Sequence, residues 1–316
     1  VNTGRLFGAA WRVVPRLPGA LARGAFDAAA VAAWLARPGG VRRLEANLAR
    51  VRPTASPREL RRLSRAGMRS YLRYYCEAFQ LAGWSPQRVD ARVRALGDEH
   101  LRTDLAAGRS VVLALAHCGN WDLAGAWAGR ALGRVVTVVE RLEPAELFRE
   151  YVAFRESFGT TVIPLDKGGN VFRTLIGHAR GGAVVIPLLA DRDLTAAGVE
   201  VDLFGHAARV APGPAALALA TGARLYPVRI TYERLRGARR RAAGGPWGIL
   251  VDFAPPCVPP EGAPRGEAIA AMSQQWVDAV AEAIGRHPQD WHMLQRVFVE
   301  DLDPARVPDP AAGART

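Results

Sequence analysis

The sequence predicts an α/β fold: a central, largely parallel sheet flanked by helices, with an amphipathic helical segment ahead of it. Three observations predict it. Beyond residue 82, short runs rich in Val, Ile and Leu alternate with segments of helix length, and near-continuous apolar strands separated by helices imply a sheet covered on both faces. Before residue 82 the apolar residues recur with helical spacing. The 316 residues, 49% of them hydrophobic, are enough for one large core without staples.

The elements follow in order. Residues 1–57 form a basic amphipathic helical segment, 58–300 a single α/β domain, and 301–316, ending in "DPAAGART", a disordered tail. Residues 58–82 read as one long helix with an arginine face and an apolar face of Leu60, Leu63, Tyr71, Tyr74, Tyr75 and Phe79. Strands are expected at 110–116, 134–140, 160–165, 182–190, 223–233 and 247–256. Helices are expected between them at 121–131, 143–157, 169–179 and 212–221, with a last one at about 264–286. The final two strands, joined by "RLRGARRRAAGG", suggest an antiparallel hairpin at a sheet edge.

Charge is placed unevenly. Residues 1–75 carry 15 Arg against Asp27, Glu45 and Glu59, a net +12 that equals the charge of the whole chain. Arg5, Arg12, Arg16 and Arg23 are interleaved with Leu6, Phe7, Trp11, Val13, Val14, Leu17 and Leu21. That texture fits docking on an anionic membrane surface, with Trp11, Phe7 and Trp34 as apolar anchors, better than a nucleic-acid arm. The longest uncharged run in the segment, residues 28–36, is far short of the roughly 20 residues of a membrane span. Arginines also break any signal-peptide core. Cys76, Cys118 and Cys257 are scattered and odd in number, which argues for a reducing compartment. His287 and His292 are spaced off one helical face, so no metal is expected, and neither a P-loop nor a GxSxG elbow is present.

The chemistry concentrates at "VVLALAHCGNWDLAGAW", residues 111–127. His117 follows an apolar strand, at the carboxyl end where ligands of such sheets bind. Asp122 falls in the first turn of the next helix. At this spacing it can accept from one imidazole nitrogen, fix the tautomer, and leave the other nitrogen as a general base. Amides at the helix start offer donors for an oxyanion. The arrangement suits attack of a hydroxyl on a carbonyl with no protein nucleophile.

"AHCGNWDLAG" resembles the HxGNW(D/E) box of the bacterial lipid A lauroyl/myristoyl acyltransferase family, within the HxxxxD glycerolipid acyltransferases. Residues 187–228, with "ADRDL" and "VEVDLFG", resemble the family's second signature, and "HPQDWHMLQRVF" its C-terminal Pro-x-x-Trp segment. These forms are most similar to the actinobacterial phosphatidylinositol mannoside acyltransferases, and the resemblance covers roughly residues 5–300. It implies a glycerolipid-acyltransferase-like fold and transfer of a fatty acyl group, commonly palmitoyl, from acyl-CoA as co-substrate to a mannose 6-hydroxyl of a phosphatidylinositol mannoside. No cofactor is implied, and the enzyme would lie peripherally on the cytoplasmic face of the plasma membrane. His117 and Asp122 would be catalytic. The family's downstream acidic–arginine pair maps onto Glu140 and Arg155, gripping sugar hydroxyls or phosphate. Asp191 ends another strand and would complete the relay or hold the acceptor, with Arg192 beside it in a substrate-binding role. Two departures, Asp122 where Glu is frequent and Arg192 inside the acidic turn, disfavour a lipid A acceptor. The alternatives are an acyl-CoA thioesterase that uses the same His on water, an acyltransferase for another glycolipid, and a non-catalytic lipid-binding protein.

Overall fold

A computed structural model describes residues 3–140, 145–165, 170–193 and 197–302. The chain opens with four helices: α1 (Thr3–Val13), α2 (Gly19–Ala36), α3 (Gly39–Val51) and α4 (Pro57–Leu81). The start of α4 is written locally. Ser56 Oγ accepts from the Glu59 N–H at 3.3 Å, and the Ser56 N–H donates to Glu59 Oε2 at 2.8 Å. This reciprocal capping box follows directly from the "SPRE" sequence.

The α/β part continues through α5 (Pro86–Arg92), β1 (Val93–Leu96), α6 (Glu99–Ala106), β2 (Val111–Leu115), α7 (Trp121–Ala131), β3 (Val135–Glu140), α8 (Ala145–Glu156) and β4 (Thr160–Leu165). Next come α9 (Val171–Arg180), β5 (Val185–Leu189), the ribbon β6 (Val199–Leu203) and β7 (His206–Val210), and α10 (Gly213–Thr221). The chain closes with β8 (Arg224–Arg234), α11 (Gly237–Ala242), β9 (Trp247–Phe253) and α12 (Arg265–Arg286).

Seven strands form the main sheet in the order β1-β9-β8-β2-β5-β3-β4. Among the described residues of this sheet only the β8–β9 strand pairing is antiparallel; the other strand pairings are parallel. The expected hairpin is therefore present, but not at the edge, because β1 pairs in parallel beyond β9. β1 is four residues long and carries Arg94, too short and too polar to signal itself by pattern.

Every residue of β2 is buried. Val112 and Ala114 pack on one face with Leu175 of α9, Leu217 of α10 and Trp276 of α12. Leu113 and Leu115 pack on the other with Leu101 of α6, Leu123 of α7 and Phe154 of α8. Two covered faces are why the strand reads as an unbroken apolar run.

The N-terminal helices sit on α4, and two expected anchors point inward. Trp11 meets Phe79 and Phe154 edge-on at 5.1 and 5.0 Å. Trp34 lies under the Arg61 guanidinium at 4.0 Å and donates Nε1–H to Ser64 Oγ at 2.9 Å. The side chains of Arg5 and Phe7 lie outside the described residues. What α2 turns outward is a chargeless stripe of Leu21, Ala25, Ala28, Ala32 and Leu35, with the two leucines 59% and 64% exposed. Among the described residues no helix is long and apolar enough to cross a membrane. Of the expected C-terminal tail, residues 303–316 lie outside the described residues. Asp301 is held by Arg43 at 2.6 Å and Arg50 at 3.0 Å, and Leu302 is buried.

Candidate active site

His117 sits just past the end of β2, between two elements that brace its loop. Gly119 adopts φ +58°, and a Cβ there would come within 2.8–2.9 Å of Ile230 on β8, so only glycine lets the loop press against that strand. From the other side the Gly119 N–H donates to Asp290 O at 3.0 Å, and the His292 N–H donates to His117 O at 2.8 Å. The DWH segment thus forms a short antiparallel clasp on the histidine loop.

The carboxylate on His117 is Asp191, at the end of β5, the neighbour of β2. Its Oδ1 lies 2.5 Å from His117 Nδ1. Its Oδ2 accepts from the His117 N–H and from Trp291 Nε1–H, both at 3.0 Å. Burial alone would raise the Asp191 carboxyl, but the His117 contacts and the Trp291 donor outweigh it and hold the group below the ordinary carboxylate range. An ionised carboxylate only accepts, so Nδ1 is the donor of this pair. The His117 side chain is 24% exposed, and Nε2 has no protein partner among the described residues.

Asp122 does not touch this imidazole, which corrects the orienting role read from its spacing. It lies in the first turn of α7, with its side chain turned toward α4 and α8. Oδ1 accepts from Arg155 Nη2 at 2.7 Å and Nε at 3.0 Å, and Oδ2 accepts from the Tyr74 hydroxyl at 2.7 Å. Both oxygens are satisfied there and the residue is buried. Burial would lower the Arg155 guanidinium, but the Asp122 carboxylate beside it keeps it raised. Arg155 therefore pairs with Asp122. Glu140 ends β3, and its side chain lies outside the described residues. Arg192 follows Asp191, half-buried and with no hydrogen bond or ion pair among the described residues.

Residues that sequence reasoning missed complete the setting. Trp291, the tryptophan of the Pro-x-x-Trp segment, supplies a donor to Asp191 from 100 positions away. Asn120 caps α7 by accepting from the Leu123 N–H at 3.0 Å, and its Nδ2 donates to Glu77 Oε2 at 2.9 Å. His292 is buried against Tyr71, Tyr74 and Trp121. Its Nε2 is 3.0 Å from Ser70 Oγ, and Nδ1 has no partner among the described residues. Burial, with Arg73 and His117 nearby, pushes it down to about 3, so it is neutral. Cys118 is buried, and burial with Asp191 and Asp290 close by raises its thiol, which disqualifies it as a nucleophile. Among the described residues no group of His, Cys, Asp and Glu could hold a metal ion.

An apolar cavity opens beside the Asp122–Arg155 pair and runs between α7, α8 and the sheet. It has a cavity volume of about 90 Å³ and is lined by Trp121, Trp127, Leu132, Phe154, Phe158 and Phe253 among others. An imidazole at the end of one strand, a buried carboxylate on its Nδ1 and an apolar cavity lined by the neighbouring Trp121 suit acyl chemistry.

Comparison with known proteins agrees. The family model described as bacterial lipid A biosynthesis acyltransferase matches residues 5–300. A phosphatidylinositol mannoside acyltransferase of Mycolicibacterium smegmatis is 39% identical over 302 residues, covering 95% of this chain and 92% of the relative. The phosphatidylinositol mannoside acyltransferase of Mycobacterium tuberculosis strain H37Rv is 40% identical over 306 residues, covering 95% and 90%.

Proposed function

The chain belongs to the bacterial lipid A biosynthesis acyltransferase family, and from that premise we propose that it transfers a fatty acyl group, palmitoyl in the first instance, from acyl-CoA to a mannose 6-hydroxyl of a phosphatidylinositol mannoside. The observation that carries this reading is His117 Nε2, without a protein partner among the described residues, with Asp191 on the other ring nitrogen and with Trp121, whose ring lies 5.5 Å from the imidazole, lining the apolar cavity. The relatives' acceptor selects the sugar lipid.

In the proposed reaction the acyl chain lies in the cavity and the thioester carbonyl faces His117. Nε2 takes the proton of the mannose hydroxyl as its oxygen attacks that carbonyl. The amides at the start of α7 stabilise the oxyanion of the tetrahedral intermediate. Collapse expels CoA as a thiolate, a good leaving group that needs little acid help. Asp191 stabilises the imidazolium formed in the first step. The Asp122–Arg155–Tyr74 cluster holds α4, α7 and α8 around the cavity mouth. Glu140 and Arg192 are assigned to the acceptor.

The acceptor is a membrane lipid, so the enzyme acts while docked peripherally on the cytoplasmic face of the plasma membrane. The stripe from Leu21 to Leu35 on α2 supports this, since an exposed chargeless face of that length is uncommon on a protein that meets only water.

The deciding experiment supplies palmitoyl-CoA with and without a mannosylated inositol lipid and follows thiol release and lipid mass. Release that depends on the acceptor, with a product heavier by one palmitoyl group, is the expected result. Thiol release unaffected by acceptor would make the protein a thioesterase.

A further inference from the structure

We propose that the tip of the β8–β9 hairpin is a second membrane contact: an arginine-rich surface that binds the phosphates of anionic lipids next to α2. The proposal rests on the membrane-docking reading above and adds a site to it that the N-terminal charge does not account for.

The register of the sheet places the tip. Leu115, the last residue of β2, is opposite Val228, and β8 continues to Arg234. At about 3.3 Å per residue, those further residues carry the hairpin roughly 20 Å past the end of β2, on the side where His117 lies. The hairpin therefore stands up beside the active site and carries α11 at its summit.

The charges there are left over from folding. Arg239 is used internally, paired with Glu233 at 2.5 Å and donating to Ala91 O. Arg234 stacks on Trp247 at 4.2 Å. Arg236, Arg240 and Arg241 are exposed, and none forms a side-chain hydrogen bond or ion pair among the described residues.

The tip also meets α2. A Cβ on Gly245 would lie 3.3 Å from Arg23 Nη1 and 2.7 Å from Arg92 Nη2, and one on Gly244 would lie 3.3 Å from the Arg88 guanidinium. Three guanidiniums thus converge under the tip, and the carboxylate bonded among them is Glu77, held by Arg92. Burial and the repulsion of Arg92 and Arg23 lower Arg88 to about 10. Over the chain the positive charge sums to the N-terminal segment, but the fold brings the arginines of residues 234–241 against that segment and concentrates the field. Exposed arginines without partners at the summit of the hairpin match the phosphates of an anionic lipid surface.

The test uses the full chain, vesicles of phosphatidylcholine alone or with phosphatidylinositol, and the triple variant Arg236→Gln, Arg240→Gln, Arg241→Gln. These side chains hold nothing else, so unchanged thermal unfolding certifies the fold. At about 1 kcal/mol per near-surface arginine, the variant should partition onto phosphatidylinositol vesicles on the order of a hundredfold more weakly at low salt. The loss should shrink as salt rises, and binding to neutral vesicles should be unaltered. Equal binding of variant and wild type to the anionic vesicles would overturn the proposal, as would tighter capture of the wild type by an RNA oligonucleotide. A separate Leu21→Gln, Leu35→Gln variant keeps the two readings apart. If it still binds neutral vesicles normally, docking through α2 fails while the hairpin result stands. A wild type that binds neither vesicle sinks both.

Discussion

Nδ1 of His117 lies 2.5 Å from Asp191 Oδ1, across 74 positions of chain, although Asp122 is five positions away in the same loop and helix turn. The acidic member of the motif and the acidic partner of the imidazole are two different residues. One carboxylate lies on the His117 imidazole, and the other binds Arg155 and Tyr74.

Substituting the two carboxylates should therefore give different failures. Asp191→Asn keeps a side chain of the same shape but removes the charge that stabilises the imidazolium, so kcat should fall by ~10²–10⁴ with thermal stability nearly intact. Asp122→Asn leaves the Arg155 guanidinium buried without its counter-ion, a loss of about 3–5 kcal/mol for a broken buried pair. Its signature should be a lowered unfolding temperature. Calorimetry and acceptor-dependent turnover on both variants check this, and a reversed pattern would return the orienting role to Asp122.

Trp291→Phe keeps an aromatic ring in the core and deletes one donor to Asp191. A hydrogen bond to a charged acceptor contributes about 1.5–3 kcal/mol, so a carboxylate that loses it should hold the imidazole less firmly. The expected outcome is a drop in kcat on the order of tenfold, with the KM for acyl-CoA unchanged. A change confined to KM would mean that Trp291 serves substrate binding.

What was legible in the sequence was what is encoded locally. α7 runs over Trp121–Ala131, as expected, because Asn120 caps a segment with helical spacing. β2 was legible because both its faces are covered. β1 was not, since four residues carrying an arginine give no periodicity. The position of His117 could be read from the strand before it, but its partner could not. Spacing states what Asp122 can reach and says nothing of the donors that α4 and α8 present to it. Trp291 and Asp191 meet only because the DWH segment clasps the histidine loop, a pairing that exists at no sequence distance shorter than the fold itself. Trp11 looked interfacial because a tryptophan among arginines carries the same pattern whether it faces lipid or, as here, Phe79 and Phe154.

The cavity should act as a ruler. Ala124 and Ala128 lie on the face of α7 that lines it, both less than 10% exposed. Ala128→Phe puts a ring into space that an acyl chain would occupy. Turnover should shift from palmitoyl-CoA toward shorter donors, with the variant still folded because the added volume enters an existing cavity. Competition between donors of graded length reads this directly. An unchanged length profile would put the acyl chain elsewhere.

The last prediction concerns acid. His292 is buried and neutral, pushed from 6.5 down to about 3. Between those values the unfolded chain binds a proton on this residue and the folded chain does not. Stability should therefore be complete above pH 6.5 and fall as pH drops toward 3, by up to about 1.4 kcal/mol per unit from this group. Asp290, raised by burial, works in the opposite sense because its folded form holds a proton more readily than its unfolded form. The difference between two proteins isolates His292. His292→Phe should fill the space between Tyr71, Tyr74 and Trp121 and forfeit the Ser70 hydrogen bond. The variant should start less stable at neutral pH yet lose less on acidification, so the two denaturant-unfolding curves converge below pH 6. Parallel losses down to pH 4 would mean that His292 takes up its proton in the folded state, and that the orphaned Nδ1 finds a partner when charged.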